Sequence, residues 1–456
     1  MDKVTTLREK PKVEQDIINT LHRYAEHLRA KQIFPSTVTA TRRGIAMDPT
    51  NPRLWATLGC VYWNMGEYEK AVEPMLKALS LEPKNAAHSG NLGLLHHSLR
   101  DYPAAERYFA RALELSKGKG RQKKKDKLGS IWDRSLMRLE QGEWASGLQD
   151  YETRIELKGA PLYSKMPVPL WKGEPLDGKV LYIQEEQGIG DRILFSRYLP
   201  IIKERWPTSR VKICSNEMLL NLFWEFRHLA EFVPTGIPWP DDLDYGVFEA
   251  SLPLCLGTTP ETIPPDPGLL LKRVKHQELL GGFNLPQPVL PSLKVGIAWT
   301  GNPEQGKNNQ RSIPLEKLLR LAESPGVTLY SFQVGPGSEK LKELETQELV
   351  ADIGSHLARE GLVAAGVAMR SMDLMITVCT STAHLAGALG VPTILMLGWD
   401  PYWIWLCGDK KPKTTPWYPS ISIIQQDTPG DWDGVLRRVM NELEKFPSRQ
   451  LERNHG

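Results

Sequence analysis

The chain has 456 residues, more than one hydrophobic core usually organises, so two or three domains are expected. Hydrophobic residues make up 41% and charged residues 24%, the proportions of an ordinary globular protein. A formal net charge of +3 gives no general basis for binding nucleic acid or an anionic membrane surface. The five cysteines (Cys60, Cys214, Cys255, Cys379 and Cys407) have neither CxxC nor metal-type spacing and read as reduced thiols. The N-terminal segment has no apolar core suited to a signal peptide, so a cytoplasmic protein is expected. The most apolar stretch, 373–397, contains His384, several hydroxyls and Gly/Pro breaks, and fits a buried strand–helix–strand better than a membrane span.

Residues 52–85 realign on the following segment with a period of 34. Leu58, Gly59, Tyr68, Ala71, Ala78 and Leu81 recur as Leu92, Gly93, Tyr102, Ala105, Ala112 and Leu115. Small residues where two antiparallel helices touch, with large ones between, are the tetratricopeptide (TPR) pattern. A weaker third copy carries Gln141-Gly142-Glu143-Trp144, and a degenerate capping unit precedes the first. The run 117–125 between the second and third copies is either a basic contact patch or, as such runs usually are, a solvated loop. The repeat region is placed at 1–160, with clear copies at 52–118 and degenerate units at about 14–50 and 128–158. Stacked repeats present a concave face suited to a polypeptide partner.

Prolines 161, 167, 169 and 175 mark a linker over 161–178. Beyond it strands alternate with helices, as in parallel α/β sheets. Strands are expected at 179–185, 210–214 and 245–250, with a helix at 191–204. A proline-rich hinge at 285–291 precedes strands at 293–299, 328–333, 349–352, 374–378, 393–397 and 422–425, and a last amphipathic helix at 431–445. Two Rossmann-like lobes follow, at 179–288 and 289–446.

Three loops carry candidate chemistry. Gly188 and Gly190 follow the first strand and permit close backbone approach, with Asp191 either an N-cap or a reacting group. Ser381, Thr382, Ala383 and His384 open a helix after a strand, a natural seat for a diphosphate; Gly387 lets that helix pack closely. His384 is either a satisfied core histidine or a phosphate contact. Trp299-Thr300-Gly301 and the cations Lys307 and Arg311 form the third loop, where positive charge could neutralise a departing diphosphate. The nearest acidic cluster, Asp241-Asp242-Leu243-Asp244, lies in a connecting region, so neither metal nor cofactor is expected. The aromatic run 399–406 either walls a ligand pocket, the favoured reading, or packs between lobes.

The EQGIGD loop, IAWTGNP with RSIP, TSTAHLAGALG and Thr415-Pro416-Trp417-Tyr418-Pro419 resemble bacterial tetratricopeptide proteins with a glycosyltransferase-9-like domain, similar to heptosyltransferases. The resemblance covers roughly 180–439 besides the repeats and implies an α plus α/β chain: TPR helices followed by a GT-B fold with an acceptor-side and a nucleotide-sugar-side lobe. It implies Asp191 as general base, Lys307 or Arg311 at the leaving phosphates, and Thr382 to His384 holding them. Relatives commonly carry aspartate where this chain has Cys379, and a neutral thiol cannot accept sugar hydroxyl hydrogen bonds as a carboxylate does. The expected function is sugar transfer from a nucleotide donor to a protein recruited by the repeats, flagellin among the acceptors the resemblance raises. The alternative is a catalytically silent repeat scaffold.

Overall fold

The computed structural model describes residues 12–158, 166–186, 188–271, 285–288, 292–304, 308–406 and 412–454. By internal contacts the chain divides into two compact units, at Met137/Arg138. In the first, helices alternate in antiparallel pairs: α1 (Lys12–Ala30) with α2 (Phe34–Met47), α3 (Pro52–Asn64) with α4 (Tyr68–Leu81), and α5 (Ala86–Ser98) with α6 (Tyr102–Leu115). Asn51 and Asp101 cap α3 and α6 through their side chains. The repeating glycines sit where the paired helices meet: a Cβ on Gly93 would lie 2.6 Å from the Phe109 ring, and one on Gly59 would strike Met75. α7 (Arg121–Glu140) takes in much of the basic run and crosses the division.

The division lies before the expected boundary at 160, because α8 (Trp144–Tyr151) and α9 (Arg154–Lys158) belong to the second unit. Although α8 reads as repeat sequence, its Trp144 is 1% exposed and rests on Trp403 and Trp417, with ring centroids 5.5 and 5.8 Å away.

The first sheet of this unit has strand order β3-β2-β1-β4, all parallel: β1 (Val180–Gln184), β2 (Arg210–Ser215), β3 (Glu231–Pro234) and β4 (Tyr245–Phe248). The helix expected at 191–204 is two, α10 (Ile189–Phe195) and α11 (Tyr198–Arg205). Pro200 has no N–H to continue a single ladder and is tolerated in the first turn of a new helix. Two short helices, α12 (Glu217–Leu220) and α13 (Leu252–Cys255), complete this lobe among the described residues.

The second sheet has order β10-β11-β9-β8-β5-β6-β7. Its strands are β5 (Leu293–Ala298), β6 (Val327–Ser331), β7 (Val350–Asp352), β8 (Leu374–Val378), β9 (Thr393–Leu397), the short β10 (Thr414–Thr415) and β11 (Tyr418–Gln425). All pair in parallel except β10, which returns antiparallel onto β11. Interleaved are α14 (Asn308–Arg311), α15 (Leu315–Leu318), α16 (Glu339–Glu343), α17 (Gly354–Met369), α18 (Ser381–Ala388) and α19 (Trp432–Asn454). Val295, Ile297, Leu329, Leu374, Ile376 and Met396 pack with Val435, Leu436 and Val439 of α19 into one core. Leaving out β10, the order is the doubly wound one, two runs leaving a central strand in opposite directions, and the chain reverses between β5 and β8. The two-lobed parallel architecture expected from the sequence is thus present, after helical repeats.

Among the described residues no helix is long and apolar enough to cross a membrane. The acidic cluster is engaged in structure: Asp242 pairs with Lys212 and Arg210, and Asp244 with Lys179 and the Val180 N–H.

Candidate functional site

In a parallel sheet the crevice suited to a ligand opens beyond the carboxyl ends of the strands, at the point where strand order reverses. In the first lobe that point lies between β1 and β4, and the loop leaving β1 carries Gly188 and Asp191. Gly188 caps α10, and its N–H donates to Asp191 Oδ2 at 3.1 Å, which fixes the carboxylate in the first turn. Asp191 is half-buried.

In the second lobe the reversal lies between β5 and β8, and both following loops carry candidate residues. After β5, the Trp299 and Thr300 N–H groups donate to Gln333 Oε1 at 3.1 and 3.0 Å. Thr300 Oγ1 meets Ser312 Oγ at 2.8 Å and accepts from Asn308 Nδ2, while Asn308 Oδ1 accepts from Arg311 Nε at 3.1 Å. The Arg311 guanidinium lies over Gly301, leaving no room for a Cβ there. After β8, Cys379 leads into α18. Its sulfur accepts from Trp405 Nε1 at 3.1 Å. Burial pushes the thiol up, with Trp405 and Arg311 drawing it down and Asp191 adding to the rise.

The lobes touch where α10 meets α18. A Cβ on Gly190 would lie 2.6 Å from His384 Cδ2, so the glycine is required by this approach. His384 is 5% exposed, its Nδ1 is 3.2 Å from the Tyr418 hydroxyl, and its ring lies 4.9 Å from Trp405. Burial, with Arg197 adding repulsion, lowers its pKa to about 3, so the ring is neutral at physiological pH. Of the two readings of His384, the structure gives the satisfied core histidine.

Other expected donor-binding residues divide in the same way. Ser381 and Thr382 are half-exposed at the start of α18, beside Thr380, whose Oγ1 is buried without a hydrogen-bond partner. Ala383 is fully buried and its N–H is spent on the Thr380 carbonyl. Gly387 packs against the Tyr418 ring, and the Trp299 indole lies in the second-lobe core, so neither side offers itself to a ligand. Lys307 lies outside the described residues. The aromatic run is divided: Trp403, Ile404 and Trp405 are each at most 2% exposed, with Trp144 of α8 edge-on to Trp403, while Trp399 and Tyr402 are half-exposed.

Sequence reasoning missed a buried ionic layer beneath the glycine loop. Glu186 accepts the Ala250 N–H at 2.8 Å, and Arg192 pairs with Glu249 at 2.9 Å and with Glu185 at 3.6 Å. Burial raises Glu249 to about 7, against the pull of Arg192 and with Glu186 and Asp191 adding to the rise. The EE doublet before Gly188 was the visible trace of this layer. A cavity of about 1030 Å³ lies elsewhere, at the opposite ends of β8 and β9 beside α19, and no candidate residue lines it.

Residues 52–85 and 87–123 match tetratricopeptide repeat family models. Over 445 residues the chain is 26% identical to Protein FlbA of Caulobacter vibrioides, covering 90% of this chain and 70% of that one. It is similar to a glycosyl transferase family 9 structure from Veillonella parvula, with 14% identity, TM-score 0.39, and 58% of this chain and 92% of that one covered. ADP-heptose LPS heptosyltransferase II of E. coli matches with 14% identity and TM-score 0.38, over 60% of this chain and 99% of that one. The repeats match Pseudomonas aeruginosa PilF with 17% identity and TM-score 0.29, over 32% of this chain; the chain spans 63% of PilF.

Proposed function

We propose that the α/β unit moves a sugar from a nucleotide-sugar donor to an acceptor hydroxyl, and that the acceptor is a polypeptide gathered by the repeats. The observation that carries this reading is the convergence of both strand-order reversals on one place. Asp191 stands next to Gly190, which packs on His384 of α18, and the Arg311 guanidinium lies over Gly301 in the loop leaving β5. Asp191 would take the proton from the attacking hydroxyl. Arg311, with Lys307 as the second cation of its loop, would neutralise the departing diphosphate, while the hydroxyls of Ser381 and Thr382 hold its oxygens. On this reading charge neutralisation falls to side chains, without a metal, and the reaction proceeds in the cytoplasm.

The test offers the full chain a panel of nucleotide sugars and follows donor hydrolysis or transfer, beside Asp191→Ala. Turnover in the native chain that falls at least about a hundredfold in the variant agrees with a general base. Equal turnover in both removes Asp191 from that role. Cys379 favours a second reading, a silent scaffold, because a thiol already bonded to Trp405 is a poor partner for sugar hydroxyls. Failure of every nucleotide to bind would select that reading.

A further inference from the structure

The short helical segment ahead of the first strand carries an arginine that none of the site motifs contains. The Arg154 side chain, on α9, is 0% exposed. Its Nε and Nη2 donate to the two oxygens of Glu186 at 3.0 and 2.9 Å. Nη2 also donates to Ser251 Oγ at 2.7 Å, and Nη1 to Glu152 and to the Tyr151 carbonyl. Ser251 completes a ring by donating to Glu152. Glu186 stands at the root of the glycine loop, and the same carboxylate accepts the Ala250 N–H just past β4. One guanidinium thus ties the loops leaving β1 and β4, the two strands that flank the first reversal.

The segment also grips the second lobe. Tyr151 OH lies 2.9 Å from Tyr402 OH, and Trp144 stacks on Trp417. Residues 144–154 therefore hold Asp191's loop through Arg154 and the aromatic loop of the second lobe through Trp144 and Tyr151.

We propose that Arg154 is a positioning residue for the transfer reaction. Through Glu186 it fixes the start of α10, and with it Asp191, in register with α18, so the segment ahead of the first strand is a working part of the site. This rests on the transferase reading. A buried ion pair adds little net stability over a well-packed apolar pair, but its bidentate geometry sets orientation closely. The pair is thus better suited to register than to holding the fold together.

The experiment compares full-length Arg154→Met, Arg154→Lys and the double variant Arg154→Met/Glu186→Met with the native chain. The double variant removes both fully buried charges, and Glu152, 30% exposed, keeps the hydrogen bond from Ser251. Expected is a double variant that melts with the native chain, yet has kcat down at least about tenfold with donor KM within about twofold, because the loop is loosened while the donor lobe is intact. Arg154→Lys should recover part of the loss in Arg154→Met. Native kcat in a folded double variant overturns the proposal. If the native chain turns over no donor, the transferase reading fails by itself, and amide hydrogen exchange decides the positioning claim. Faster exchange confined to 188–195 in the double variant upholds it, and unchanged exchange there sinks it.

Discussion

His384→Phe isolates an electrostatic consequence of the contact between the lobes. The phenyl ring keeps most of the packing against Trp405 and Tyr418 and loses the Tyr418 hydrogen bond, a cost independent of pH. In the folded protein the imidazole stays neutral down to about 3, whereas in the unfolded chain it takes its proton near the ordinary 6.5. Between those values the unfolded state holds the extra proton, so this group's contribution is fully present above 6.5 and is lost as pH falls toward 3. Glu249 runs the other way: held near 7 when folded against 4.5 unfolded, it contributes below 4.5 and loses that contribution as pH rises to 7. In the native protein these two slopes cancel between 4.5 and 6.5. Removing His384 leaves Glu249's slope uncovered. A full pH unit between the two values is worth about 1.4 kcal/mol, and half of the unfolded histidines are already protonated at 6.5, so the stability gap between native and variant should narrow by about 2 kcal/mol from pH 6.5 to pH 4.5. Urea unfolding followed by tryptophan fluorescence at the two pH values measures it. An equal gap at both would mean that His384 titrates as an exposed histidine does, and the description of the α10–α18 contact would be wrong.

Gly190→Ala forces a methyl into the His384 ring from a helix backbone that cannot swing aside. A loss of about 1–3 kcal/mol in chemical denaturation is expected, with activity falling further than stability. A chain beginning at residue 138 should keep the melting transition of the α/β unit. One beginning at 161 strips Trp144 from Trp403 and Arg154 from Glu186, and should lose at least about 3 kcal/mol by calorimetry or fail to fold. Cys379→Asp places a carboxylate within reach of Arg311 and the Trp405 N–H. Calorimetric titration with the donor selected by the panel should show tighter binding, and unchanged affinity would remove this position from sugar recognition.

The repeats were legible because their determinants are local. Gly59 and Gly93 must be small for Met75 and Phe109 to approach, and that need recurs at a fixed interval. Strands such as β5 and β8 were legible as apolar runs, followed by a glycine-bearing loop after β5 and by a run of hydroxyls after β8. β3 was not: Glu231 and Pro234 are exposed at its ends and only Val233 is buried, leaving no apolar run to find. The break between α10 and α11 was written in Pro200 and went unread. Trp403 packs against Trp144, Trp405 against His384, and Arg154 owes its role to Glu186; none of these partners is near in sequence, and no periodicity links them. An arginine in a short helix reads as solvated until its carboxylate is located. The candidate site was thus visible as loops, while what holds those loops in place was not.

Arg197 has a consequence for how the lobes can move. Its guanidinium, 1% exposed, donates to the carbonyls of Leu194, Pro264 and Trp417 and lies over the Trp417 and Tyr418 rings. Parting the lobes there would take the Trp417 carbonyl and both ring faces from the guanidinium, leaving it only the Leu194 and Pro264 carbonyls of its own lobe. Arg197 and the Gly190–His384 contact thus pin the lobes to each other on one side, and on the transferase reading turning about that side costs less than separating at it.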